Sequence, residues 1–230
     1  MERVTTNDDL KRQRKAEMIK GIISIILWLG ILIGASALLL FLFRDVMKVT
    51  TDESEDIFHV LATYIPSALL LIVFIAIYFS TIKEDIKRLT KKDVIFIVIM
   101  GIITLVAGYV TGEALEYSGL TFHNQEAVTG MLASQAVIMA LVMVIQAPIV
   151  EELLCRKALN QIITHKTIFV ILSALFFGVL HAADLAMIPY IVIGALCAFT
   201  YLKTGKNVVA SMGVHFINNL TGAIFMLLQI

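Results

Sequence analysis

The hydrophobic positions of this chain come in long runs rather than at the three-to-four-residue spacing of an amphipathic helix. A helix needs about 20 apolar residues to cross the hydrocarbon core of a bilayer. Seven segments can be read on that scale, at roughly 19–43, 59–82, 94–111, 129–163, 167–183, 187–202 and 207–228. Pro66 and Pro189 fall near the starts of their segments, and Pro148 falls inside the fourth. No domain-sized polar insert, low-complexity tract or internal repeat breaks the order. The expected fold class is all-α: a polytopic integral membrane protein of about seven transmembrane helices.

Composition strengthens this reading. Of 230 residues, 59% are hydrophobic and 16% charged, and the mean hydropathy is +0.91. A soluble domain of this length needs more polar surface to cover one core. The net charge of zero argues against a nucleic-acid partner. Cys155 and Cys197 both lie in apolar segments and imply no disulfide framework. The charged stretch through Lys20 runs into an apolar segment without a small-residue cleavage site, so it reads as a retained anchor.

Charge placement gives the expected orientation. Sixteen of the 18 Lys and Arg residues fall on one side of the predicted spans, all but Arg44 and Lys48. The opposite side collects acidic residues, among them Asp52, Glu113, Glu126 and Asp184. Basic residues stay inside, so the N-terminus is expected to be cytoplasmic and the C-terminus outside.

Ionisable groups within the spans need a reason, since a charge near mid-membrane costs about 2.5–3.5 kcal/mol even on insertion scales. Three places hold them: Glu151-Glu152-Leu153-Leu154-Cys155-Arg156, Phe177 with His181, and His215 with Asn219. The fourth and fifth segments should form a hairpin turning at Thr164–Thr167. At about 1.5 Å of rise per residue, Glu151 and His181 both lie roughly 22 Å from that turn. His215 and Asn219 lie roughly 15–21 Å past the Lys203–Lys206 turn on the same side. Polar groups on three helices thus share one layer.

Spacing also sets facing. Residues four apart share a helix side, which pairs Glu152 with Arg156, Phe177 with His181 and His215 with Asn219. Glu151 points about 100° away from Glu152, so one carboxylate is tied to arginine while its neighbour is free for chemistry. Pro148 cannot donate a backbone hydrogen bond and is expected to free the carbonyl of Val144, kinking the helix.

Taken singly, each feature has an ordinary reading. A Glu–Arg pair in a membrane helix is commonly structural glue, His181 an interhelical hydrogen-bonding residue, Asn219 a packing amide and Phe177 a packing ring. Lys157 reads as snorkelling to the interface. The combination points to hydrolysis. Glu151 and His181 suit activation of a water, and His215 and Asn219 suit hydrogen bonding to an oxyanion. Zinc is the alternative, with Glu151, His181 and His215 as ligands and a fourth position for water. The chain has no HExxH motif. An amide is a poor zinc ligand and a good donor, so the metal-free arrangement is preferred and no cofactor is favoured.

EExxxR, FxxxH and HxxxN, in this order on membrane helices, resemble the CPBP family of intramembrane proteases. That family includes the CAAX-prenyl endopeptidases and the bacterial Abi proteins of bacteriocin processing and immunity. The resemblance covers about 129–228, through Glu151, Glu152, Arg156, Phe177, His181, His215 and Asn219. It implies an all-helical membrane peptidase with a site reached from the cytoplasmic side. Glu151 would act as base with His181, and His215 and Asn219 would hold the oxyanion. Cys155 and Lys157 depart from the aromatic residue and glycine that flank the motif arginine in many relatives.

The expected organisation is a cytoplasmic segment at 1–18, three helices within 19–128 and a four-helix catalytic core at 129–228. The expected partners are a membrane-associated peptide or protein substrate and the lipid bilayer, and the expected location is a bacterial cytoplasmic membrane. Two rival readings use the same polar cluster: a non-enzymatic scaffold or immunity protein, and a small proton-coupled transporter. The transporter is disfavoured because no inverted repeat or paired broken helix is apparent.

Overall fold

The structure, a computed structural model, describes residues 6–43, 52–119 and 138–229. Among them the major elements are seven helices: α1 (Asn7–Phe41), α2 (Asp52–Arg88), α3 (Lys91–Glu116), α4 (Ile138–Ile162), α5 (Lys166–His181), α6 (Ile188–Lys203) and α7 (Val208–Gln229). No strand occurs among the described residues. The chain is an all-α, multi-pass membrane protein. Among the described residues six helices are long and apolar enough to cross a bilayer, and α5 is a shorter apolar helix.

The differences from the sequence reading have local causes. The 16 residues of α5 rise only about 24 Å, less than the roughly 30 Å of a hydrocarbon core. It stops at His181 because Ala182 is extended. The Asp184 carboxylate then accepts the Ala186 N–H at 2.8 Å and starts a short 3₁₀ turn, Leu185–Met187. Pro189 opens α6 in its first turn, where a missing N–H breaks no helical bond. Pro66, by contrast, lies within α2, because that helix begins at Asp52 rather than near 59. The part of the fourth predicted span before Ile138 lies outside the described residues.

Close helix approach depends on small residues, as in other membrane bundles. A Cβ on Gly21 of α1 would stand 2.6 Å from the Ala158 carbonyl oxygen of α4. One on Gly194 of α6 would stand 3.0 Å from Phe177 Cβ of α5. The core joins Phe74 and Tyr78 of α2, Leu153 and Leu154 of α4, Phe169 and Phe177 of α5, Cys197 and Tyr201 of α6, and Val214 of α7. The outer faces of α1 and α3 carry exposed Ile26, Ile33, Ile95 and Val106, the surface expected of helices that lipid covers.

Buried polar side chains fix the register of these helices. Ser24 Oγ and Tyr78 OH are 2.8 Å apart, Tyr78 donates to Gln161 Oε1 at 2.9 Å, and Gln161 donates to Glu17. This chain of bonds ties α1 and α2 to α4. Asp85 accepts the Val208 N–H at 2.7 Å, satisfying one of the orphan donors at the start of α7. Arg14, Arg88, Lys157 and Lys206 meet at one end of the bundle. Four basic stretches that the charge pattern assigned to one side are therefore together in space.

Candidate active site

α4 departs from regular α-helix on both sides of its two glutamates. Val142–Gln146 and Leu153–Ala158 are π-helical, with the α-helical stretch Ala147–Glu152 between them. Such wide turns are frequent at functional sites. Here the first of them changes which carbonyl Pro148 leaves without a donor. In the five-residue register the Ala147 N–H bonds the Val142 carbonyl, so the N–H missing at Pro148 falls opposite Met143. The expectation of a freed Val144 carbonyl assumed four-residue spacing and is corrected. Asn219 Nδ2 of α7 donates to the Met143 oxygen at 2.9 Å, occupying the vacated position.

The two carboxylates diverge. Glu152 is fully buried. Its Oε2 lies 3.0 Å from Arg156 Nε and accepts from Ser211 Oγ, and its Oε1 lies 3.0 Å from His215 Nδ1. Arg156, also fully buried, donates to the Gly194 carbonyl of α6 at 3.2 Å and lies over the Phe177 ring at 4.9 Å. The pair is therefore more than glue within one helix. Glu152 joins α4 to α7, and Arg156 joins α4 to α5 and α6.

Glu151 faces the histidines instead. Its Oε2 lies 3.7 Å from His181 Nε2 and 4.0 Å from His215 Nε2. That oxygen is buried and has no hydrogen-bond partner among the described residues. Both distances exceed the range of a direct hydrogen bond and suit contact through one intervening atom.

Ring partners set the histidine protons. His181 Nδ1 lies 2.8 Å from the Phe177 carbonyl, which can only accept, so Nδ1 carries the hydrogen. His215 Nδ1 faces the Glu152 carboxylate, paired with Arg156 and likewise an acceptor. Each ring therefore presents Nε2 to Glu151, as a lone pair when neutral and as an N–H donor when charged. Phe177 and Tyr190 hold His181 between them, at centroid distances of 4.5 Å each, with the Tyr190 ring stacked at 16°. Phe177 also meets His215 edge-on at 5.4 Å.

Glu151, His181 and His215 thus converge, with Glu152, Arg156 and Phe177 packed behind them. Asn219 stands one turn beyond His215; its amide nitrogen donates to the Met143 carbonyl and its amide oxygen accepts from Asn218. Sequence reasoning missed Ser211 and Tyr190. Ser211 left a signal, because Ser211, His215 and Asn219 form a polar stripe at four-residue spacing. Tyr190 left none: an aromatic residue after a proline at a helix start is ordinary packing material.

The donor set fits zinc in kind. Two Nε2 atoms and a carboxylate are typical ligands, and histidines anchored through Nδ1 on a carboxylate or carbonyl are typical of such centres. The described side chains stand somewhat wide for it, since ligand atoms around tetrahedral zinc are about 3.3 Å apart. No group of three metal-ligating side chains gathers closely enough among the described residues.

Residues 133–221 match the family model described as type II CAAX prenyl endopeptidase Rce1-like. An uncharacterized protein of Mycoplasma capricolum subsp. capricolum is 22% identical over 191 residues, with 75% of this chain and 56% of that protein covered. The chain thus spans little more than half the length of this relative. No solved structure matches. The matched segment holds all seven residues of the three motifs and excludes the first three helices. Over residues 133–221 the chain is thus similar to the Rce1-like type II CAAX prenyl endopeptidases, the same side of the CPBP family that its three motifs resemble.

Proposed function

We propose that this protein is an intramembrane endopeptidase that hydrolyses membrane-associated peptides or proteins, with its catalytic core at 129–228. The observation that carries the reading is the Glu151 carboxylate oxygen, buried and unpartnered among the described residues, facing two histidine Nε2 atoms. A water between these atoms gives one proton to Glu151 while His181 Nε2 holds it in place. The hydroxide adds to the scissile carbonyl carbon, and the carbonyl oxygen becomes an oxyanion. His215, charged and supported at Nδ1 by Glu152, donates from Nε2 to that oxygen. Asn219 uses one amide hydrogen on Met143 and has its second for the same oxyanion. As the C–N bond breaks, the proton held by Glu151 passes to the leaving amine.

Arg156 and Glu152 offset each other's charge within their buried pair. That lowers the energetic cost of placing it in a membrane. Were zinc bound, Glu151, His181 and His215 would hold it, and it would supply an acidified water. The metal-free reading is preferred because it gives the Asn219 amide a role. The family points to CAAX-type substrates. The preponderance of cations at one end supports a cytoplasmic N-terminus in a cell membrane.

The test is cleavage of prenylated and unprenylated CAAX-type peptides by the full chain in liposomes, with products mapped by mass and the reaction run in ¹⁸O-labelled water. One ¹⁸O in the new C-terminal carboxyl, absent with Glu151→Gln, supports the mechanism. Products formed equally by Glu151→Gln would remove Glu151 from it.

A further inference from the structure

The end of the bundle remote from Glu151 carries a second polar feature, which the peptidase reading does not use. A cleft of about 300 Å³ opens there between α1, α2, α4 and the turn that joins α6 to α7. Its cations come from four separate places in the chain: Arg14, Arg88, Lys157 and Lys206.

Their local partners offset only part of this charge. Arg88 is paired with Asp85, and Glu17, the acid in the cleft wall, accepts from Gln161. Arg14 donates to the Ile162 carbonyl at 3.3 Å, which is neutral. Lys157 and Lys206 have no carboxylate within ion-pair distance among the described residues. Like charges facing one another across a cleft repel, and an anion between them removes that repulsion.

Two further observations point to a ligand. Lys206 has φ of 62°, directly after Gly205 at 72°, a left-handed conformation that residues other than glycine rarely adopt. The turn thus keeps a lysine where glycine would be relaxed, and that lysine lines the cleft. Its ammonium is held below the ordinary lysine range, first by partial burial and then by the charges of Arg14, Lys157 and Lys166. Beside the cleft, α1 also exposes Met18, Ile19 and Ile22 just past Glu17, an apolar track starting at the polar rim.

We propose that this cleft binds a phosphate group, and that its source is either the headgroup of an anionic glycerophospholipid or a soluble phosphate. Lysine and arginine from several elements grip a phosphate by charge and hydrogen bonds. Basic pockets between transmembrane helices suit lipid headgroups at the membrane surface, and the apolar track on α1 gives an acyl chain a path. The site lies outside the peptidase chemistry: Asn160 and Gln161 in its wall are about 15 Å along α4 from Glu151.

The test titrates the full-length protein in neutral detergent with phosphatidylglycerol, phosphatidylcholine or inorganic phosphate. Binding is read by native mass spectrometry and by protection against thermal unfolding. Each cation removed is expected to weaken binding about fivefold, so Lys157→Gln with Lys206→Gly loses about 25-fold. Lys206→Gly suits the backbone at that position, so it keeps the fold while lowering affinity. Lys92→Gln, on the exposed start of α3, is expected to change nothing. Preference for phosphatidylglycerol, lost in the double variant, supports the site with a lipid source. Protection by inorganic phosphate alone, lost in the same variant, supports it with a soluble source. Equal loss with Lys92→Gln, or binding indifferent to Lys206→Gly and to Lys157→Gln, overturns the proposal.

Discussion

Replacing Glu152 by glutamine isolates the contribution of the buried ion pair. The side chain keeps its shape and an oxygen that can accept from Ser211 or His215, but it loses the charge beside Arg156. Arg156 is then left fully buried without a carboxylate partner, beside neutral groups such as the Gly194 carbonyl at 3.2 Å and the Phe177 face at 4.9 Å. Removing one partner of a buried pair destabilises by about 3–5 kcal/mol. For a chain of this size that lowers the unfolding midpoint by roughly 10 °C. Two fully buried thiols, Cys155 and Cys197, supply a native probe. A thiol-reactive fluorophore followed during heating in detergent reads their exposure. Glu152→Gln combined with Arg156→Met removes both charges and is expected to recover most of the loss, because no unpaired charge remains. A single variant that unfolds with the wild type, or a double variant no better than the single, refutes this account of the pair.

Other perturbations probe the supporting geometry. Ser211→Ala removes a hydrogen bond to a charged carboxylate and is expected to lose about 1.5–3 kcal/mol in the same unfolding assay, leaving Glu151-dependent cleavage measurable. Tyr190→Leu removes the ring stacked on His181, an interaction worth about 0.5–1.5 kcal/mol. It is expected to lower kcat about tenfold, shift the pH profile of cleavage and lower the unfolding midpoint by only about 1–6 °C. Gly21→Ala drives a methyl against the Ala158 carbonyl and is expected to lose about 1–3 kcal/mol. Gly34→Ala, which meets open space, is the control in that same assay.

How much of this was legible beforehand depended on the kind of signal. Hydrophobic run length locates helices well, because lipid forces every backbone polar group into an internal bond. The shared depth of Glu151, His181 and His215 was legible because helical rise is nearly constant. Run length placed α5 to within two residues, expected at 167–183 and found at Lys166–His181, but it did not show the 3₁₀ turn that Asp184 starts. It also placed the start of α2 late, at about 59 rather than Asp52, because the first residues of that helix are acidic and lie outside the apolar run. The π turns of α4 were invisible, since spacing arguments assume regular α-helix, and the Asn219 bond to Met143 in the first of them joins residues far apart in the chain. Glu152 was read with one partner because helical spacing reports contacts within a helix. Its bonds to Ser211 and His215 cross to α7.

The central claim, that Glu151 activates water between two histidines, is tested most directly with purified wild-type protein and Glu151→Gln on a membrane-peptide library. Each is assayed in detergent with and without a chelator, after thiol exposure has established that both are folded. The account predicts that wild-type cleavage persists in chelator and that Glu151→Gln falls to background, a loss of at least about a thousandfold. Cleavage by folded Glu151→Gln at the wild-type rate would contradict it, and wild-type activity lost in chelator and restored by zinc would replace the metal-free mechanism.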